Sequence, residues 1–96
     1  MLIDDARQSL RIKTIMLDTE IQDLIDAAKS DLILSGVLQS KINDESNDPL
    51  IKRAIILYCK ANFGLDNSEG DKYQSAYNSL KTHLTLSIEY TVEVGN

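Results

Sequence analysis

The segment "DPLIKRAIILYCKANFG", residues 48–64, decides the fold of this 96-residue chain. Asp48 stands where a helix N-cap belongs. Pro49 suits the first helical position, where a missing N–H leaves no intrahelical bond unmade, and Gly64 can close the far end in the left-handed conformation. At about 100° per residue, Leu50, Ala54, Leu57, Tyr58 and Ala61 share one face, which Ile51 and Ile55 widen to half the circumference or more. The remaining side carries Lys52, Arg53 and Lys60, with Ile56 among them and Phe63 nearly aligned with Ile56. A helix so widely apolar is either the buried centre of a small bundle or keeps part of its surface for another chain.

Three further helices surround it in the sequence. Leu2, Ala6 and Leu10 recur at helical spacing, with Asp4 and Asp5 near the positive end of the helix dipole, and predict a short helix over residues 3–11. Ile21, Leu24, Ile25, Ala28 and Leu32 form the stripe of a second helix. Thr19 and Gln22 fit a capping box there with Asp18 as rival N-cap, and Gly36 is a natural stop. The stretch "IKTIML" between the two reads as a connector with apolar anchors. A fourth helix, from about Asp71 to Leu86, sets Tyr73, Ala76, Tyr77, Leu80 and Leu84 on one side. Between the second helix and the opening segment, "VLQSKI" is apolar enough to tuck under the bundle, and residues 43–48 read as a solvated loop.

From Ser87 the period changes to two. Ile88, Tyr90, Val92 and Val94 alternate with Ser87, Glu89, Thr91 and Glu93. An internal strand over "IKTIML" is only weakly signalled and no convincing second strand exists to pair with this one, so the expectation is an all-α, four-helix bundle-like domain over residues 1–87 with an extended C-terminal arm over residues 88–96.

Composition narrows the function. Fifteen acidic residues against ten basic ones leave a formal net charge of −5, which argues against a freely basic nucleic-acid surface. A single cysteine, Cys59, excludes an intramolecular disulfide and fits a reducing compartment. No run approaches the ~18 apolar residues of a membrane span, and the N-terminus carries acid where a signal peptide is basic. The expectation is a protein of the cytoplasm, away from membranes.

Catalytic and metal chemistry find little support. Asp23 and Asp26 share the polar face of the second helix as solvated charges, and His83 is the sole histidine, beside an apolar stripe. One histidine and one cysteine are too few soft ligands for a tetrahedral zinc site. Neither "NDESND" nor "DNSEGD" has the glycine and distal glutamate of an EF-hand loop. No phosphate-cradling glycine motif occurs, and Cys59 reads as a small packing hydrophobe. The expectation is no catalytic residue, no metal and no cofactor.

Interaction remains. Lys52, Arg53, Ile56 and Lys60 suggest an apolar anchor rimmed by basic charge, facing Asp23, Asp26 or Asp31 on a neighbouring copy. Such a contact between unlike faces is heterologous and closes into a ring where the rotation permits.

Taken in order, "LRIKTIMLDTEIQDLIDAAKSDLILSGV", "DPLIKRAIILYCKANFG" and "YQSAYNSLKTHLTLSIEY" resemble the small head–tail connector proteins of tailed bacteriophages, also called adaptor, head-completion or DNA packaging proteins. The resemblance covers residues 10–90. It implies an all-α, non-enzymatic structural subunit of the virion, assembled in the host cytoplasm. It further implies a ring of about a dozen copies on the portal protein, bridging to a stopper or tail-joining protein and leaving a channel that DNA crosses without specific binding. On that reading, Asn43, Asp44, Glu45 and Asn47 of the loop, with Ile88, Tyr90, Val92 and Val94 of the arm, are the candidates for docking to portal or stopper. The alternative class is a small acidic helical regulator that binds a host or phage protein. For DNA the charge balance has a direct consequence: fluorescence anisotropy with duplex DNA at low salt should show no tight, salt-sensitive binding.

Overall fold

The computed structural model describes residues 2–43, 48–64 and 68–93, which form six helices and no strand. In chain order these are α1 (Leu2–Ser9), α2 (Asp18–Leu34), α3 (Gln39–Asn43), α4 (Pro49–Asn62), α5 (Gly70–Leu86) and α6 (Ile88–Thr91). The all-α class agrees with the sequence, and α1, α2, α4 and α5 are the four helices it predicts. The short α3 and α6 are additional.

The opening segment is the centre of the bundle. Asp48 caps α4, its Oδ1 accepting the N–H groups of Leu50 at 3.0 Å and Ile51 at 3.2 Å. Ile51, Ala54, Ile55, Ile56, Leu57 and Cys59 are all buried, so the helix is enclosed nearly all round. Each isoleucine taken out of water contributes roughly 1.5–3 kcal/mol. Helix α5 packs along one side, α2 along another and α1 along a third.

Ile56 corrects an expectation. It does not project among the basic residues; only 7% of it is exposed. Its side of α4 is the side of Lys52, one turn earlier, and Lys52 reaches Asp5 of α1 at 3.1 Å. The first helix therefore covers the surface that the sequence leaves open. Leu50 departs in the other direction: although on the apolar arc, it is 45% exposed. In α5, Tyr77 and Leu84 are buried while Ala76 faces outward.

Chain direction follows from the contacts. The end of α1 shares a groove with Lys60 and Phe63 from the end of α4 and with Tyr73 from the start of α5. At the opposite end, the Leu38 N–H that follows α2 donates to the Tyr90 carbonyl of α6 at 2.8 Å. The Tyr90 hydroxyl in turn donates to Asp48 at 3.1 Å. Helices α2 and α5 thus both run against α4, and the molecule measures 45 × 26 × 18 Å.

The arm expected from Ile88 onward starts differently. Residues 88–91 form one turn of helix, because coiling brings Tyr90 into the core at 7% exposure with its hydroxyl bonded. No strand among the described residues offers an extended chain a ladder. Val94 lies outside the described residues, with the remainder of the C-terminus.

Helix ends show two further departures. The Thr19–Gln22 capping box does not form: α2 is entered from Leu17 without a side-chain cap. Asp18 instead accepts from Arg7 Nε at 2.8 Å, and the Gln22 amide donates forward to Asp26. At the other end of α2, Val37 N–H bonds Leu32 O and Gly36 N–H bonds Ile33 O, a Schellman stop with Gly36 at φ +113°. The same pair of bonds ends α1, from Ile12 to Arg7 and from Arg11 to Gln8, but Arg11 occupies the left-handed position at φ 59°.

A side chain there is strained, whereas at Gly36 an added Cβ would meet no neighbour. In urea unfolding, Arg11→Gly should raise stability by about 0.5–1 kcal/mol and Gly36→Ala should lower it by about 1–2 kcal/mol, because only the backbone conformation changes hands.

Candidate interaction surfaces

The residues exposing large apolar side chains gather at the two ends of the bundle. Ile33 and Leu34 close α2, Leu50 opens α4, Leu86 closes α5, and Ile88 and Val92 belong to α6 and its exit. Of these Leu34 is 87%, Leu86 79% and Ile88 74% exposed. At the other end, in the loop between α1 and α2, Ile15 is 73% and Met16 86% exposed, with Leu17 beside them. A helix of seventeen residues separates the sets, a span of about 25 Å.

The first end is organised by Asp48. One carboxylate oxygen satisfies two backbone N–H groups of α4 and the phenol of Tyr90. The Lys41 ammonium lies 5.5 Å from the centre of the Tyr90 ring. Burial, then the hydrogen bond and charge of Asp48, then the charge of Glu89 push the Tyr90 hydroxyl up to about 12. Ile88 and Val92 are presented from a turn that hangs on these contacts and on the Leu38–Tyr90 backbone bond.

The flank between the ends is held by a three-residue cluster. Tyr77 donates to Asp31 Oδ2 at 2.6 Å, and Lys81 Nζ lies 3.0 Å from the same oxygen. Lys81 also stands over the Tyr77 ring, which packs edge-on against Tyr58 at 5.3 Å. Burial works to raise the Asp31 carboxyl, but the Tyr77 hydroxyl and the Lys81 ammonium outweigh it, and the net direction is downward. Burial and the Asp31 charge both drive the Tyr77 hydroxyl upward.

These contacts redraw the lateral set expected from sequence. Lys52 is engaged with Asp5, Lys60 stands 5.1 Å from the Tyr73 ring centre, Asp31 is held by Tyr77 and Lys81, and Ile56 is buried. Arg53, Asp23 and Asp26 keep exposed side chains. Of the docking set, Asn43 ends α3, Ile88 and Val92 are exposed, and Tyr90 is buried. Asp44, Glu45 and Asn47 lie outside the described residues.

Leu34 and Leu86 escaped the sequence reading, and their signal is plain in retrospect. Each lies two residues past the last buried leucine of its stripe, Leu32 or Leu84, which turns it about 200° away from the core.

The side chains with chemical potential sit in quiet surroundings. Cys59 is buried, and burial pushes its thiol up to about 12. His83 is on the surface of α5. Among the described residues no three histidines, cysteines or carboxylates gather as a metal site, and no helix is long and apolar enough to cross a membrane.

The fold is an all-α bundle that displays large apolar side chains at its ends. The family model of phage connector proteins matches residues 2–91. The chain belongs to the phage connector protein family, and with that membership goes a structural connector role in a phage particle. Comparison with curated proteins finds no match, and neither does comparison with solved structures.

The Asp48–Tyr90 contact yields a measurable coupling. Asp48→Ala removes a cap and a phenol acceptor together and should cost about 2 kcal/mol, while Tyr90→Phe should cost about 1 kcal/mol. The double variant should cost less than the sum, because both changes delete the same bond. Since the folded chain holds the Tyr90 proton more tightly than the unfolded chain does, this stabilisation is complete below the ordinary phenol value of 10.0 and is lost as pH rises through about 12. Absorbance of tyrosinate during alkaline titration, compared between the wild type and Tyr90→Phe, reads it out.

Proposed function

We propose that this chain is a subunit of the head–tail connector of a tailed phage. It forms a ring of about a dozen copies on the portal, bridges to the stopper or tail-joining protein, and encloses a channel for DNA. It acts in the virion, after assembly in the host cytoplasm, and performs no catalysis. The observation that carries this reading is the family match along almost the whole chain, residues 2–91.

The molecule supports it in two ways. A net charge of −5 suits a conduit that DNA crosses without adhering, since binding energy to phosphates comes from basic residues. Exposed apolar side chains at both ends of a 45 Å body suit a part that must touch more than one neighbour. In that setting Ile88 and Val92 are exposed apolar contacts of the C-terminal end, and Arg53, Asp23 and Asp26 are the accessible members of the lateral set expected from sequence.

The test uses DNA-filled capsids that carry their portal but lack this chain. Added protein should collect at the single portal vertex, at about a dozen copies per particle by quantitative gel and electron microscopy. Binding spread over the capsid faces, or no binding, would sink the reading.

A further inference from the structure

The two exposed ends differ in charge as well as position. The loop of residues 11–17, "RIKTIML", carries Arg11 and Lys13 and no acidic residue. The stretch of residues 86–93, "LSIEYTVE", carries Glu89 and Glu93 and no basic one. Each couples its charges to large exposed apolar side chains, Ile15 and Met16 in the loop against Leu86, Ile88 and Val92 in the C-terminal stretch. Of the charges bordering them, Asp18 is held by Arg7 and Lys41 faces the Tyr90 ring, while Glu20 is exposed in the first turn of α2.

We infer that copies of this chain join end to opposite end, the basic apolar loop 11–17 of one subunit seating on the acidic apolar stretch 86–93 of a second copy. Charge decides the occupant. Two chains of net charge −5 repel in most orientations, and a like-end pairing sets Lys13 against Lys13 or Glu89 against Glu89. The unlike-end pairing sets Arg11 and Lys13 against Glu89 and Glu93 around apolar anchors. The contact is heterologous, so repeated copies continue in one direction and close where the rotation permits. It rests on the connector reading for its setting. There the small apolar area of each joint is offset by closure of a ring, which raises the effective concentration at every remaining joint.

Cross-linking between single-cysteine-added chains tests it, because buried Cys59 contributes little background. Met16→Cys and Ile88→Cys chains, mixed at high concentration with a short bismaleimide, should give the mixed product in several-fold excess over either self-product. Lys13→Glu in the first chain should lower that yield about threefold at low salt. Combining it with Glu89→Lys and Glu93→Lys in the second chain should restore the yield. Circular dichroism checks that each variant keeps its helices. Self-products equal to the mixed product, no product up to millimolar protein, or a charge exchange without recovery each overturn the contact. Should cross-linking fail while the chain still collects at portal vertices, the joint is wrong and the connector role stands. Should the mixed product form without portal docking, the joint stands and the connector role falls.

Discussion

Everything at one end of this molecule depends on a single carboxylate. Asp48 meets two of the orphan N–H groups at the start of α4, which every helix must satisfy by some means. Its placement fixes where the central helix begins and therefore which isoleucines reach the core. The same oxygen receives the Tyr90 phenol, so α6 is anchored to the first turn of the central helix. The alignment of α4 and the presentation of Ile88 and Val92 are thereby linked through one side chain.

The core around α4 explains why the rest of the fold needs so few special residues. With Ile51, Ile55, Ile56 and Cys59 enclosed by three helices, packing supplies the stability, and polar contacts serve mainly to set register. Arg7 ties α1 to α2 through Asp18, Lys52 ties α4 back to α1, and Asp31 ties α2 to α5. Each joins different helices, in positions where neither periodicity nor propensity imposes a contact.

The long elements were legible in the sequence because each has a period and at least one terminus with clear stereochemistry. Asp48, Pro49, Gly36 and Gly64 punctuate the chain as expected, and both glycines adopt positive φ. What was not legible depends on contacts made across the fold. Nothing local to Ile56 says that α1 will cover it, and nothing local to Asp18 says that Arg7 will take its carboxylate from capping duty. The alternation from Ser87 is a true period-two pattern, but the bonds from Tyr90 to Asp48 and Leu38 outcompete it. Of the surfaces, Ile88 and Val92 could be named from sequence. Leu34 and Leu86 could be placed from the phase of their stripes, but the loop around Met16 could not, because without a period nothing distinguishes an apolar anchor facing inward from one facing outward.

Cys59 carries a consequence for any assembly in which many copies crowd together. With burial raising its thiol to about 12, the thiol and not the reactive thiolate prevails at neutral pH. The helix around it bars access as well. A chain of this design can be concentrated at one site, or pass from a reducing cell to an oxidising exterior, without its subunits becoming covalently fused. Any contacts such a chain makes with other copies are then non-covalent and reversible.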